Sequence, residues 1–314
     1  MAITLAEAKV GMADKVDQKI IDNFRRESRL LDLLPFDNAV SAGTGGSTLT
    51  YGYTQLKTPA TAAIRQLNAE YTPSEAKREK KSADCIIMGG SFEIDRVIAK
   101  TSGAVDEVAF QLDQKSKAVA NLFNLKAIKG VEGTDGFDGL EVLLTGTSQE
   151  VVSTVDISTA AKRNTNFQAA IDELDELEAL MDETPTLWIM NKKTAARYTG
   201  IARRAGYYSQ REDAFGKKVD VINGVEIMEA EKYYDATSQT SVEIIPDGDI
   251  YGVVIGMDGF HAISPIGNSA MLDKHLPDFT EAKAVHKGDV ELVGGVVLKS
   301  TLKAVHLKAF GSAA

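Results

Sequence analysis

A single cysteine, Cys85, in 314 residues leaves no intrachain disulfide to staple the fold. No histidine lies near it in sequence, so a small buried thiol is a better reading than a nucleophile. The four histidines, His261, His275, His286 and His306, are scattered. There is no His-x-x-x-His pair, no Gly-x-Ser-x-Gly elbow and no cysteine cluster. Catalysis has little to stand on, and no cofactor is expected. A triad gathered from distant residues would leave no such trace, so an uncharacterised soluble hydrolase is kept as a rival. No run approaches the roughly 18 apolar residues of a membrane span, and residues 1–15 lack the basic start and apolar centre of a signal peptide. The protein is expected to stay where it is made, with no membrane partner. The net charge of −10 disfavours nucleic acid as a tight partner of the whole surface but leaves room for a local basic patch.

What is present is enough for a proper core: 44% of the residues are hydrophobic, and the length fits about two domains. The clearest element is a long amphipathic helix. Val105, Val108, Ala109, Leu112, Val119, Leu122, Phe123 and Ala127 lie on one stripe. Ser102 is placed to cap its start, and Gly130 to close it. From Ala104 to Lys129 the rod would be roughly 39 Å long, a backbone for other elements.

Before it, Val16, Ile20, Ile21, Phe24, Leu30, Leu31 and Leu34 recur at helical spacing until Pro35, which predicts a helical arm. A turn at 41–47 follows, then a strand in which Leu49, Tyr51 and Tyr53 alternate with polar residues. No Lys-Ser/Thr pair follows Gly43, Gly45 and Gly46, so the turn is not a phosphate loop. The expected partner strand is Cys85 to Ile94. Between the two lies an extension at about 56–84, far longer than connections in compact domains usually are. It carries apolar residues, Ile64 and Leu67 among them, then Tyr71, and a charged run that includes Lys77, Arg78, Lys80 and Lys81, with Lys57 at the outset. Such a run is usually a solvated face. Here the apolar half has no core of its own, which argues that a second molecule covers it.

The order of these parts, together with Met88-Gly89-Gly90-Ser91-Phe92-Glu93-Ile94-Asp95-Arg96-Val97 and Phe137-Asp138-Gly139-Leu140, resembles the tailed-bacteriophage major capsid proteins of the Hong Kong 97 type. The resemblance implies an α+β fold with an N-terminal arm (1–40), strands and an extended E-loop (41–100, the loop about 56–84), a peripheral domain with a spine helix (101–149, the helix 101–129), an axial domain (150–275) and C-terminal strands returning to the peripheral domain (276–314). It also implies a subunit of an icosahedral head shell that binds itself as hexamers and pentamers, with a separate scaffolding protein, and with portal and packaged DNA as indirect partners. The place would be the virion, and the host cytoplasm during assembly. A nanocompartment shell of the same fold, packaging enzymes, is the nearest alternative.

The second half is read from its own residues. Phe167, Ala170, Ile171, Leu174, Leu177, Leu180 and Met181 form a helical stripe whose wet side carries seven acids, Glu173 and Glu176 among them. Paired carboxylates serve glycosidases, but on such a helix they are usually solubilising. A strand at 186–190 and a basic helix at 192–204 follow, then a polar loop at 206–216 with Tyr207, Tyr208 and Arg211. Single-strand nucleic-acid binding is a minor reading there, because Glu212 and Asp213 interrupt the strip. The acids at 130–139 miss calcium-loop spacing, and Gly252, Gly256 and Gly259 miss a dinucleotide fingerprint. Strands are expected at 225–228, 242–245, 250–255 and within 290–310. Around a ring, unlike flanks meet. Within one subunit the acidic and basic segments could pair with each other, but in a ring Arg203, Arg204 and Arg211 are expected to face the acidic helix, Glu173 and Glu176 included, of a neighbour.

Overall fold

The computed structural model describes residues 30–38, 49–101, 106–212, 218–230, 232–265 and 273–311. Most of the expected arm, the turn at 41–47 and Ser102 lie outside the described residues. In chain order the structure runs through α1 (Leu30–Leu33), β1 (Phe36–Asp37), β2 (Thr50–Thr58), β3 (Lys77–Asp84), β4 (Ile86–Asp95), α2 (Arg96–Thr101), α3 (Glu107–Lys129), α4 (Glu132–Asp135), α5 (Leu140–Leu144) and β5 (Glu150–Val152). It continues with α6 (Ala160–Glu178), β6 (Leu187–Met190), α7 (Lys192–Ala205), β7 (Tyr208–Glu212), β8 (Lys218–Ile222), β9 (Val225–Glu229), β10 (Lys232–Asp235) and β11 (Thr240–Glu243). The last elements are β12 (Ile250–Val253), β13 (Phe260–Ile263), β14 (Asp273–His275), β15 (Val285–Leu298) and β16 (Ala304–Lys308).

The long helix α3 has 23 residues, which at 1.5 Å per residue is about 35 Å. It starts later than its apolar stripe predicts because Asp106 is the cap. The Asp106 carboxylate accepts hydrogen bonds from the Val108 and Ala109 amides, at 3.0 and 3.2 Å, and so satisfies two of the donors that a helix start leaves open. Gly130 follows the last turn, yet its φ of −60° is not left-handed. Glycine fits there for space: a Cβ would lie 2.5 Å from the Lys126 carbonyl and 2.9 Å from that of Phe137. The acids downstream are spent on the turn itself. Asp135 pairs with Lys126 at 2.7 Å, and Asp138 accepts the Glu132 amide at 2.8 Å.

Helix α3 lies across β4 and β15, which pair antiparallel from Ile86↔Gly294 to Asp95↔Val285. Val119, Phe123, Ala127 and Ile128 are its buried face, and the Phe123 ring sits 6.3 Å from that of Phe36. The strand pairing expected between β2 and the Cys85–Ile94 stretch does not form. β2 pairs instead with β3, the charged run, in a separate hairpin from Thr50↔Asp84 to Thr58↔Lys77. Unlike charges across the hairpin allow it, with Lys57 and Glu79 3.2 Å apart.

A seven-stranded sheet in the order β5-β16-β12-β6-β9-β8-β7 forms the second layer. Its strands alternate. Leu187 and Ile189 turn toward the core beneath α3, while Trp188 and Met190 turn toward α6 and α7. Both faces are covered, which is why 187–190 reads as an unbroken apolar run. Within the stretch expected as a polar loop at 206–216, Tyr208–Glu212 is instead the edge strand β7, paired with β8, and 213–216 lie outside the described residues. The C-terminal strands part company: β15 runs under α3, whereas β16 enters the seven-stranded sheet between β5 and β12.

Two outcomes follow from this packing. The Trp188 indole lies over Gly252, where a Cβ would stand 2.5 Å from Trp188 Cζ3 and 2.9 Å from Val305 Cγ2. Gly252→Ala is therefore expected to cost about 1–3 kcal/mol by overpacking. A denaturant midpoint equal to wild type would show that the indole is not fixed there. The second outcome concerns acid. The Gly146 amide at 2.9 Å, and then the Lys308 ammonium, hold the Glu150 carboxyl below its ordinary range. A depressed carboxyl stabilises above its unfolded value of about 4.3 and loses that contribution as pH falls through the folded value. Glu150→Gln should shrink the fall in melting temperature between pH 5 and pH 3, and an unchanged fall would place the acid sensitivity elsewhere.

Candidate assembly interface

The β2–β3 hairpin is held at its base and free beyond it. Tyr51 is buried, and its hydroxyl donates to Asp37 at 3.0 Å. The Tyr53 hydroxyl reaches the Leu298 carbonyl at 3.5 Å, and Gln55 donates to the Lys299 carbonyl. Burial, then the Asp37 bond, pushes the Tyr51 phenol up to about 12, so this anchor stays a neutral donor. Past Gln55 every residue from 56 to 82 is exposed.

The distal part is nonetheless tied to itself. Ser74 bonds both the amide and the carbonyl of Thr61, at 3.1 and 2.9 Å. The Arg65 guanidinium lies 5.6 Å from the Tyr71 ring centre and donates to the Ala69 carbonyl at 3.3 Å. Ile64 is 102% exposed, Leu67 90% and Tyr71 58%, so the loop presents apolar side chains without a surface beneath them. Lys57, Lys77, Arg78, Lys80 and Lys81 run along the hairpin's exposed arms. Lys80 and Lys81 also line a cavity of 310 Å³ at the base, with Tyr53, Glu132 and Asp138.

The charged flanks sit on α6, α7 and β7. Arg203 is stacked on Tyr208, 4.5 Å from the ring centre. Arg204 bonds Asn164 of α6 at 2.9 Å and the Gly200 carbonyl at 2.7 Å, and Arg211 bonds Glu226 at 3.3 Å. Glu173 is committed inside the subunit, accepting from the Ser153 hydroxyl at 2.6 Å and the Thr154 amide at 2.8 Å. Glu176 is exposed. All three arginines and Glu173 thus have partners within the chain, though not each other. Sequence reasoning also missed the hairpin's anchors, although the inward alternation of Tyr51, Tyr53 and Gln55 was a signal for them.

Cys85 is buried, and burial pushes its thiol up to about 12, far from a thiolate at neutral pH. His261 and His306 are fully buried, and His286 nearly so. Among the described residues no group of His, Cys, Asp and Glu could hold a metal ion.

A long helix laid across a sheet, an anchored but unsupported hairpin, and a second sheet with helices on its outer side make up the architecture. It is the Hong Kong 97-type capsid fold, an α+β fold. An encapsulin complex from Synechococcus elongatus PCC 7942 is similar at a TM-score of 0.65 and 15% identity, covering 99% of this chain and 96% of that one. The capsid of a native GTA particle is similar at 0.64 and 16% identity, covering 95% of each chain. A structure of Mycobacterium phage Ogopogo is similar at 0.58 and 13% identity, covering 98% of this chain and 99% of that one. No family model matches the sequence, and no curated protein matches it. At these identities the likeness is one of fold.

Proposed function

We propose that this chain is a major capsid protein, the subunit of an icosahedral head shell that encloses phage DNA. The observation that carries the proposal is the hairpin, exposed at every residue from 56 to 82 and tipped with Ile64, Leu67 and Tyr71. An anchored arm with an apolar tip and no surface of its own completes itself on a neighbour, and head-to-tail contacts of that kind close into rings. On this reading the hairpin is the E-loop, residues 1–40 are the arm, 101–149 hold the spine of a peripheral domain, 150–253 together with β16 form the axial domain, and β13, β14 and β15 return beside the spine. The chain then binds itself as hexamers and pentamers, with a separate scaffolding protein, and meets portal and DNA indirectly. It belongs in the virion, and in the host cytoplasm during assembly. The contact between flanks falls to Arg203, Arg204 and Arg211 against Glu176.

A second reading, a nanocompartment shell around enzyme cargo, is favoured by the likeness to the encapsulin over almost the whole of both chains. In both, self-association is the activity and no reaction is catalysed. Negative-stain images of concentrated protein should show closed particles. Nucleic acid extracted from them supports the phage head, and a co-purifying enzyme supports the nanocompartment. Light scattering that finds only a small soluble oligomer at every concentration contradicts both.

A further inference from the structure

Between α6, α7 and the β8–β9 turn lies a pocket of 160 Å³. Leu174, Trp188, Tyr198 and Ile222 line its inner part, and Asp175 and Glu178 bring two carboxylates to it. Tyr198 is only 5% exposed, and its ring is fixed edge-on between Trp188 and Phe310, with centroids 6.5 and 6.3 Å away. Its hydroxyl makes no hydrogen bond among the described residues, and with the side chain lining the pocket the oxygen is open to a ligand there. Burial, with the Glu178 and Asp175 carboxylates beside it, pushes its ionisation well above the ordinary range. The phenol therefore stays neutral and has a lone pair to offer. Neither Asp175 nor Glu178 has an ion-pair partner among the described residues. The two arginines closing α7 are occupied elsewhere, Arg203 on Tyr208 and Arg204 on Asn164.

An apolar and aromatic floor with unpaired carboxylates and one open hydroxyl selects its ligand. An anion is repelled, and a bare hard cation would find too few oxygens among apolar walls. A cation on an aliphatic stem satisfies every part. The stem covers the floor, the charge meets the carboxylates and the indole face, and an N–H donates to the phenol oxygen. We propose that this pocket binds an alkylammonium or alkylguanidinium group, the chemistry of a lysine or arginine side chain. The group comes either from a neighbouring copy, which rests on the shell reading above, or from a free amine.

Trp188 is the only tryptophan and is 2% exposed at the pocket wall, so its emission reports occupancy. Dispersed subunits titrated with n-butylammonium or butylguanidinium at constant ionic strength should show a saturable change in emission, and n-butanol should show none. Asp175→Asn combined with Glu178→Gln should weaken binding about tenfold or more, and Tyr198→Phe several-fold, with circular dichroism and melting unchanged. No saturable response to the cations, an equal response to butanol, or wild-type affinity in the double variant would overturn the proposal. This titration decides the pocket whether or not particles form. In assembled particles, emission already shifted and closed to butylammonium identifies the neighbour's side chain as the occupant. Particles that still bind it identify a free amine.

Discussion

Removing Lys57 to Lys81 and closing β2 onto β3 with a short glycine turn is expected to leave a folded subunit that cannot form closed shells. The deletion spares the hairpin's base: Tyr51 keeps its Asp37 bond and its pairing with the buried Ala83, while Tyr53 and Gln55 lose their strand partners Lys81 and Glu79 but not their reach to the Leu298 and Lys299 carbonyls. What it removes is exposed throughout, so the free energy of folding loses little buried apolar area. Assembly loses the whole apolar tip. Cooperative melting close to wild type, together with particles absent from electron micrographs, is the expected pair of results. A deletion variant that has lost its cooperative transition would place the segment in the subunit's own core.

Phe123→Ala is expected to act in the opposite way, on the subunit before any assembly. Phe123 is fully buried in the face of α3 that rests on the sheet, against Phe36. Truncating a phenylalanine in such a place costs about 3–5 kcal/mol, through lost transfer energy and the cavity left behind. That is a large share of the 5–15 kcal/mol that typically holds a domain together. Leu112 lies on the same stripe but is only partly buried, so Leu112→Ala should cost less. Denaturant midpoints that move equally for both variants would mean that α3 does not sit on the sheet as described.

Elements with a strong period were legible in the sequence. The stripe of α3 identified that helix, and the stripe of α6 did the same, because amphipathic helices write their buried face at every third and fourth residue. The buried run at 187–190 and the strand at 225–229 were legible for a similar reason. The partner of β2 was not. Residues 77–82 of β3 are all exposed, so no alternation marks them as a strand, and their charges read as a solvated surface. β7 was missed likewise, as a polar strand at a sheet edge. Helix α3 was read too long because its apolar period continues upstream of Asp106, and only cap geometry shows where the hydrogen-bonded helix begins.

The candidate interface divides along the same line. The exposed apolar tip at Ile64, Leu67 and Tyr71 stood out because it lacks any nearby amphipathic partner. The uses of individual charges did not stand out, since Glu173 is bound by Ser153 and Thr154, and Arg211 by Glu226, across separations that carry no local pattern. The pocket of Trp188 and Tyr198 was hidden for the same reason. Its walls come from α6, β6, α7 and β8, and only the fold brings them together.

The central claim is that the hairpin is completed by another copy of the chain. Amide hydrogen exchange of residues 59–76, followed in dispersed subunits and again in assembled particles, tests it most directly. Rapid exchange in the dispersed state and marked protection in the particles is the predicted result. Protection already present in the dispersed subunit, or exchange equally fast in both states, would contradict it.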